Sequence, residues 1–230
     1  MRAPRTPAAA RAIELFDDAP GGDRFHVRAR WWSCPFPAIE RSLPVAGRVL
    51  EIGCGHGLLS LYLALCAPGR RVEGIDIDAH KIELARQAAS HLAPGEATVS
   101  FATVKPAEPG QPAELPDGPF DAIVVNDVLY LMPEPMRRAV LQAAAAALAP
   151  DGVLVVKELD VAPRWKHAIG HTQELVATRV LSFTAGEVVE IAPMQTFADQ
   201  LAALGLTTTL RRVDRGYPHP HALITARRGH

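Results

Sequence analysis

Hydrophobic positions along the chain follow two periods. Short apolar runs at Arg48–Ile52, Val72–Ile75, Thr98–Val104, Phe120–Val125 and Val153–Val156 predict five buried strands. Between them lie helical segments at Leu58–Leu65, stopped near Pro68, and at Ala79–His91, where Ile82, Ala85 and Ala89 recur at helical spacing. Glu134–Ala149 is a further helical segment, closed by Pro150-Asp151-Gly152, and the Pro- and Gly-rich Lys105–Gly118 reads as a surface loop. Strand–helix alternation of this kind requires right-handed crossovers and therefore a parallel sheet.

Past residue 160 the rhythm changes. Trp165–Leu181 is helical, with Trp165, Ile169, Thr172, Val176 and Val180 on one face, and Phe197–Leu204 is a second helix capped by Gly205. Thr207–Val213 and Ala222–Ala226 then form a terminal antiparallel hairpin around a Gly/Pro/His segment. The expected fold class is α/β: a doubly wound, mostly parallel seven-stranded sheet with an antiparallel C-terminal hairpin, Rossmann-like. One domain spans 1–230, with 1–11 loose, 12–46 an N-terminal lid and 47–160 the cofactor-binding core. Residues 161–193 read as a helical substrate-side insertion and 194–230 as the final helix and hairpin.

Composition narrows the class without changing it. Lys+Arg 24 against Asp+Glu 25 leaves no basic track for a phosphate backbone, so a nucleic-acid partner is not expected. Cys34, Cys54 and Cys66 have neither the number nor the spacing of a disulfide framework or zinc module. Met1–Arg11 lacks the apolar stretch of a secretory signal, and the longest apolar run, Ala143 to Ala149, is too short to span a bilayer. A cytoplasmic location is the expectation; oligomeric state stays open.

The informative stretch is Glu51-Ile52-Gly53-Cys54-Gly55-His56-Gly57. At the carboxyl end of a parallel strand, such glycines let the backbone approach a ligand closely. A dinucleotide fingerprint would need glycine at Leu58; the spacing here is G-x-G-x-G. Asp76 ends the second strand, nineteen residues after Gly57, where a carboxylate can accept hydrogen bonds from both hydroxyls of a ribose. Asp78 reads as a helix N-cap.

These residues resemble the class I S-adenosylmethionine-dependent methyltransferase family. The glycine motif, Gly74-Ile75-Asp76-Ile77-Asp78, Phe120–Asn126 and Leu148–Leu154 carry the resemblance, strongly over about residues 47–160. It implies S-adenosylmethionine as cofactor, with Glu51, Gly53, Cys54, Gly55 and Gly57 around its methionine part, Asp76 on the ribose, Ile77 on the adenine and Asn126 beside the methionine amine. The family's acid after strand three is replaced by Lys105-Pro106-Ala107, which leaves adenine recognition to backbone groups.

The implied activity is methyl transfer to O or N of a small-molecule or lipid-like acceptor lying over the carboxyl edge of the sheet. Tyr130 and Glu158 follow strands four and five, and His219 and His221 sit in the hairpin tip Arg215–His221 beside Tyr217; these are the candidate catalytic groups, with histidine the natural base near neutral pH. Each has a plainer reading: a packing aromatic, a capping carboxylate, a polar turn. Trp31, Trp32, Arg28, Arg164 and Tyr217 are the candidate substrate contacts, the tryptophans and arginines of residues 24–36 forming either a lid or a helix packed on the sheet. No metal is expected: His167, His171 and Glu174 share a helix face, and Asn126, Asp127, Glu158 and Asp160 cluster in sequence, but neither is a complete ligand set. The competing readings are an NAD-dependent or nucleotide-sugar oxidoreductase, an RNA methyltransferase and a non-catalytic cofactor-binding protein.

Overall fold

Among the described residues, seven strands pair in the order β3-β2-β1-β4-β5-β7-β6. They are β1 (Ala46–Ile52), β2 (Gly69–Asp76), β3 (Thr98–Thr103), β4 (Phe120–Asn126), β5 (Leu148–Leu159), β6 (Leu206–Arg212) and β7 (His221–Arg228). The first five are mutually parallel, and β7 lies antiparallel between β5 and β6. This is the expected sheet, in a computed structural model that describes residues 6–106, 111, 113–161 and 192–229. The helical reading of Trp165–Leu181, the metal reading of His167, His171 and Glu174, and Arg164 lie outside the described residues.

The apolar runs are continuous because both faces of the sheet are covered. Side chains alternate across a strand. Val49, Ala122, Val124, Val153 and Val155 therefore join one core, with α4 (Leu58–Cys66) and α5 (Ala79–Ser90). Leu50, Ile123, Val125, Leu154 and Val156 join the other, with α6 (Glu134–Ala147) and α7 (Met194–Ala203). Each buried leucine or valine contributes roughly 1.5–3 kcal/mol. Among the described residues, no helix is long and apolar enough to cross a membrane.

The N-terminal segment corrects one expectation. Residues 1–11 are not loose throughout, since α1 (Pro7–Glu14) starts there, with Thr6 Oγ1 accepting the Ala9 N–H and Pro7 in the first turn. It buries Ala9 and Ala12 in the core that holds α4, which is why α4 is apolar on nearly every side. Arg11 anchors it by donating to Glu96 and to the carbonyl of His91, each at 2.7 Å. After α1 come α2 (Gly21–Ser33) and α3 (Phe36–Glu40).

Candidate functional site

The β1–α4 turn holds Gly53, Gly55 and Gly57 at φ of 75°, 53° and 78°, where side chains are strained. The N–H groups of Gly53 and Cys54 donate to the carbonyl of Ile75, tying the loop to the end of β2. Asp76 completes the turn: one carboxylate oxygen accepts the Gly55 N–H at 2.7 Å and the other the Asp78 N–H at 2.9 Å. The two outer glycines are there for packing. A Cβ on Gly57 would meet the Phe101 ring at 2.6 Å, and one on Gly53 would meet Val128 at 2.6 Å. A Cβ on Gly55 would meet nothing within 4 Å. The loop is thus a backbone cradle open above Gly55. Ile77, 52% exposed, stands at its β2 end, and Asp78 caps α5 as expected, accepting from the His80 and Lys81 N–H groups.

Glu51 lies under the other end of the cradle. It is buried and accepts a 2.5 Å hydrogen bond from Ser60 Oγ. Burial pushes its carboxyl up to about 8, against the opposing pull of Ser60. Burial also raises the Cys54 thiol, which leaves that residue's backbone as its contribution.

Helix α2 crosses above this loop with three distinct faces, set by its 100° step. Val27 and Trp31 enter the core, where Trp31 packs edge-on against Phe36 and Tyr62. The expected role of Trp31 in a substrate lid is therefore corrected: its ring fills the core. Phe25, Arg28, Ala29 and Trp32 line the outer surface, and Arg28 pairs with Asp17 there, so neither Arg28 nor Trp32 shares the face turned to the loop. The third face carries Asp23, His26 and Arg30. His56 of the glycine loop bonds Asp23 at 3.1 Å, and its ring lies 4.8 Å from that of His26. Burial, then the adjacent His56, pushes His26 down to about 4.

At the carboxyl ends of β4 and β5 and the amino end of β7 the structure assembles a buried polar row that the sequence pattern does not group. Lys157, fully buried, places Nζ 2.6 Å from both oxygens of Asp127, and Arg30 Nη1 donates to Asp127 Oδ2 at 2.9 Å. Burial works to raise the Asp127 carboxyl, but Lys157 and Arg30 hold it well below the usual range. Asp127 also sits at φ 55°, a strained conformation for a non-glycine. The Cys34 thiol donates to Asn126 Oδ1 at 3.5 Å, which puts Asn126 at the α2–sheet junction.

His221 also departs from its expected place. It is the first residue of β7, buried rather than at an exposed tip, and its Nε2 lies 2.7 Å from the carbonyl of Ser33. A carbonyl only accepts, so the proton resides on Nε2 and Nδ1 carries the lone pair. Nδ1 is buried and has no hydrogen-bond partner among the described residues. Burial, then Lys157, pushes His221 down to about 3, too weak for a base near neutral pH. The rings of Tyr217 and His219 stand 6.0 Å and 5.9 Å from it.

Glu158 faces the opposite side of the sheet from Lys157. Its Oε1 accepts the N–H groups of Val128 and Leu129 at 2.9 and 2.8 Å, fixing the 3₁₀ turn Leu129–Leu131 that carries Tyr130. Its Oε2 is buried without a partner among the described residues, and burial, then Asp127, pushes the group up to about 8. Glu158 therefore supports Tyr130 from behind. Burial, then Asp127, raises the Tyr130 hydroxyl. The Asn126, Asp127, Glu158 and Asp160 set does not converge on a cation. Asp127 is taken by Lys157 and Arg30, and Asp160 Oδ1 accepts the N–H groups of Val161 and Met194. The sequence signals that could have found the row were a lysine at the end of an otherwise apolar strand and the Asn126-Asp127 pair after β4.

A methyltransferase-domain family matches residues 25–210. The chain is 32% identical over 157 residues to a ubiquinone biosynthesis O-methyltransferase of Xanthomonas campestris pv. campestris, covering 61% of this chain and 61% of that one. It is 33% identical over 127 residues to a ribosomal protein L11 methyltransferase of Burkholderia mallei, covering 54% and 38%. The matches thus span less than two thirds of these relatives' lengths. Among solved structures, the fold resembles magnesium protoporphyrin IX methyltransferase from Synechocystis PCC 6803 with bound SAH, at TM-score 0.64 and 19% identity over 95% of this chain and 93% of the other.

Proposed function

The chain belongs to the class I S-adenosylmethionine-dependent methyltransferases through its methyltransferase domain, and on that premise we propose that it methylates an O or N atom of a small acceptor. The observation that carries the proposal is the cradle: three left-handed glycines, of which Gly55 alone faces open space, with Asp76 and exposed Ile77 at one end and Glu51 at the other. Its residues fit the cofactor. Asp76 retains acceptor capacity for ribose hydroxyls beyond the two N–H groups it already binds. Ile77 offers an apolar surface to adenine, and Glu51 lies beneath the end of the cradle that would take the methionine part. When bound, the cofactor supplies a methyl group activated by its sulfonium.

The chain's remaining work is orientation and exclusion of water, and orientation can contribute several kcal/mol. Tyr130, on the turn held by Glu158, is the residue best placed to orient the acceptor. His221 orders the α2–sheet junction and does not serve as a base. An acceptor whose nucleophile is already ionised, or loses its proton to solvent, suits such a site.

The test is incubation with methyl-deuterated S-adenosylmethionine and a panel of phenols, carboxylic acids and amines, read by mass spectrometry, alongside calorimetry with S-adenosylhomocysteine and NAD. Labelled O- or N-methyl products with micromolar binding of S-adenosylhomocysteine are expected. Tighter binding of NAD, or no binding of S-adenosylhomocysteine, would overturn the proposal.

A further inference from the structure

The chain leaves β4 through a strained residue. Asp127, at φ 55°, is the one non-glycine with positive φ among the described residues. Aspartate reaches this conformation more readily than most side chains when it bonds its own neighbouring backbone. Asp127 does not use that device. Among the described residues its carboxylate bonds side chains brought from elsewhere: Lys157 Nζ at 2.6 Å on both oxygens, Arg30 Nη1 at 2.9 Å and the Cys34 thiol at 3.7 Å. A strained residue persists where its surroundings over-determine it. Here the strongest hold comes from β5: the Lys157 carbonyl accepts the Asp127 N–H at 2.9 Å, and the fully buried Lys157 side chain takes the carboxylate.

The next residue of β5 holds the same turn from the opposite face. Lys157 stands on the face of Val153, Val155 and Leu223, and Glu158 on that of Leu154, Val156 and Ala222. Glu158 accepts the N–H groups of Val128 and Leu129. Between the two holds, Val128 packs on the cofactor cradle, where a Cβ on Gly53 would meet its Cγ2 at 2.6 Å. Tyr130 follows two residues later. Residues 127–130 therefore join the cradle to the acceptor-side tyrosine. Stability does not account for the ion pair. Desolvating two buried ions offsets most of their attraction, and apolar side chains of similar volume are often as stable. Val153–Val156 are all buried and apolar, so methionine at 157 would continue the strand. What the ion pair adds is a fixed direction.

We propose that Lys157 is a positioning residue for methyl transfer: by gripping Asp127 it fixes the turn through which Tyr130 aligns the acceptor with the donor in the cradle. The proposal rests on the methyl-transfer reading for what is aligned. Misplacing reacting groups by about 1 Å can lower turnover by about 10²-fold. The cradle itself does not depend on the grip, since the Gly53 and Cys54 N–H groups are tied to Ile75 and that of Gly55 to Asp76.

Removing one partner alone would leave a buried charge uncompensated and destabilise the fold. The test variant is therefore Lys157→Met with Asp127→Asn, neutral at both positions. Asparagine tolerates the left-handed backbone, and Arg30, 32% exposed, can turn to solvent. The protein is labelled with 3-fluorotyrosine at its three tyrosines, Tyr62, Tyr130 and Tyr217, and read by fluorine NMR, with Tyr130→Phe assigning the Tyr130 line. In the double variant the Tyr130 line should move or broaden while the other two hold. Affinity for S-adenosylhomocysteine, by calorimetry, should be unchanged. For the phenol, carboxylic acid or amine that the wild type methylates, kcat should fall by about 10- to 100-fold with KM little altered. An unmoved Tyr130 line or an unchanged kcat would overturn the proposal. So would displacement of all three lines with a lowered Tm, which would make Lys157 a general support of the fold. Failure of the wild type to bind S-adenosylhomocysteine or to methylate any of these compounds would instead count against the methyl-transfer reading, and the Tyr130 line would still decide whether Lys157 sets the turn.

Discussion

Gly55 and Gly57 differ in a way that separates folding from binding. Both have positive φ, 53° and 78°, so alanine at either position incurs about 1–2 kcal/mol for the left-handed backbone. For a chain of this length each kcal/mol lowers Tm by about 2–4 °C. Gly55→Ala adds nothing further, since its Cβ meets no atom within 4 Å, and its Tm should fall by about 2–8 °C. Gly57→Ala drives its Cβ to 2.6 Å from Phe101 and 2.9 Å from Ala85. Overpacking there adds about 1–3 kcal/mol and a correspondingly larger fall in Tm. Binding should rank the other way. The methyl on Gly55 projects into the open cradle that the cofactor's methionine part needs, so affinity for S-adenosylhomocysteine should drop by at least about tenfold, on the scale of a few lost contacts or one displaced hydrogen bond. Folded Gly57→Ala protein should lose less. Thermal denaturation and calorimetry on the two variants decide the matter. Undiminished binding by Gly55→Ala would show that the space above Gly55 is not the cofactor's seat, and equal Tm losses would refute the packing argument for Gly57.

Asp76→Ala should weaken S-adenosylhomocysteine and 5′-methylthioadenosine alike by about 1.5–3 kcal/mol, because both carry the ribose; calorimetry in which only one of them weakens would reject the ribose assignment. Glu51 links pH to stability: its folded value of about 8 exceeds the ordinary 4.5, so its contribution is complete below pH 4.5 and is lost as pH rises through about 8. The slope approaches ~1.4 kcal/mol per pH unit in between. Wild-type stability measured by denaturant titration should therefore fall relative to Glu51→Gln from pH 5 to pH 8, and parallel curves for the two proteins would show that Glu51 is not buried in its neutral form.

The alternating apolar runs, the G-x-G-x-G loop, Asp76 and the antiparallel finish were legible in the sequence because each depends on residues close together in the chain. Strand period, glycine backbone freedom and N-capping by Asp78 act over a few residues. The same local view read residues 1–11 as loose, because the Ala-rich stretch gains order only from burying Ala9 and Ala12 beside α4. It offered Trp31 to a substrate for the same reason, since Tyr62 and Phe36, which enclose its ring, come from other elements. Histidine at 221 read as a base because free imidazole titrates near neutrality; only the fold brings it to Ser33, 188 positions away, and beside buried Lys157. Arg30 likewise meets Asp127 across 97 positions. Charge, protonation and ligand-facing geometry depend on desolvation and on the sum of neighbouring fields, which exist only once distant segments pack, so the tertiary structure alone decided which polar residues are free to act.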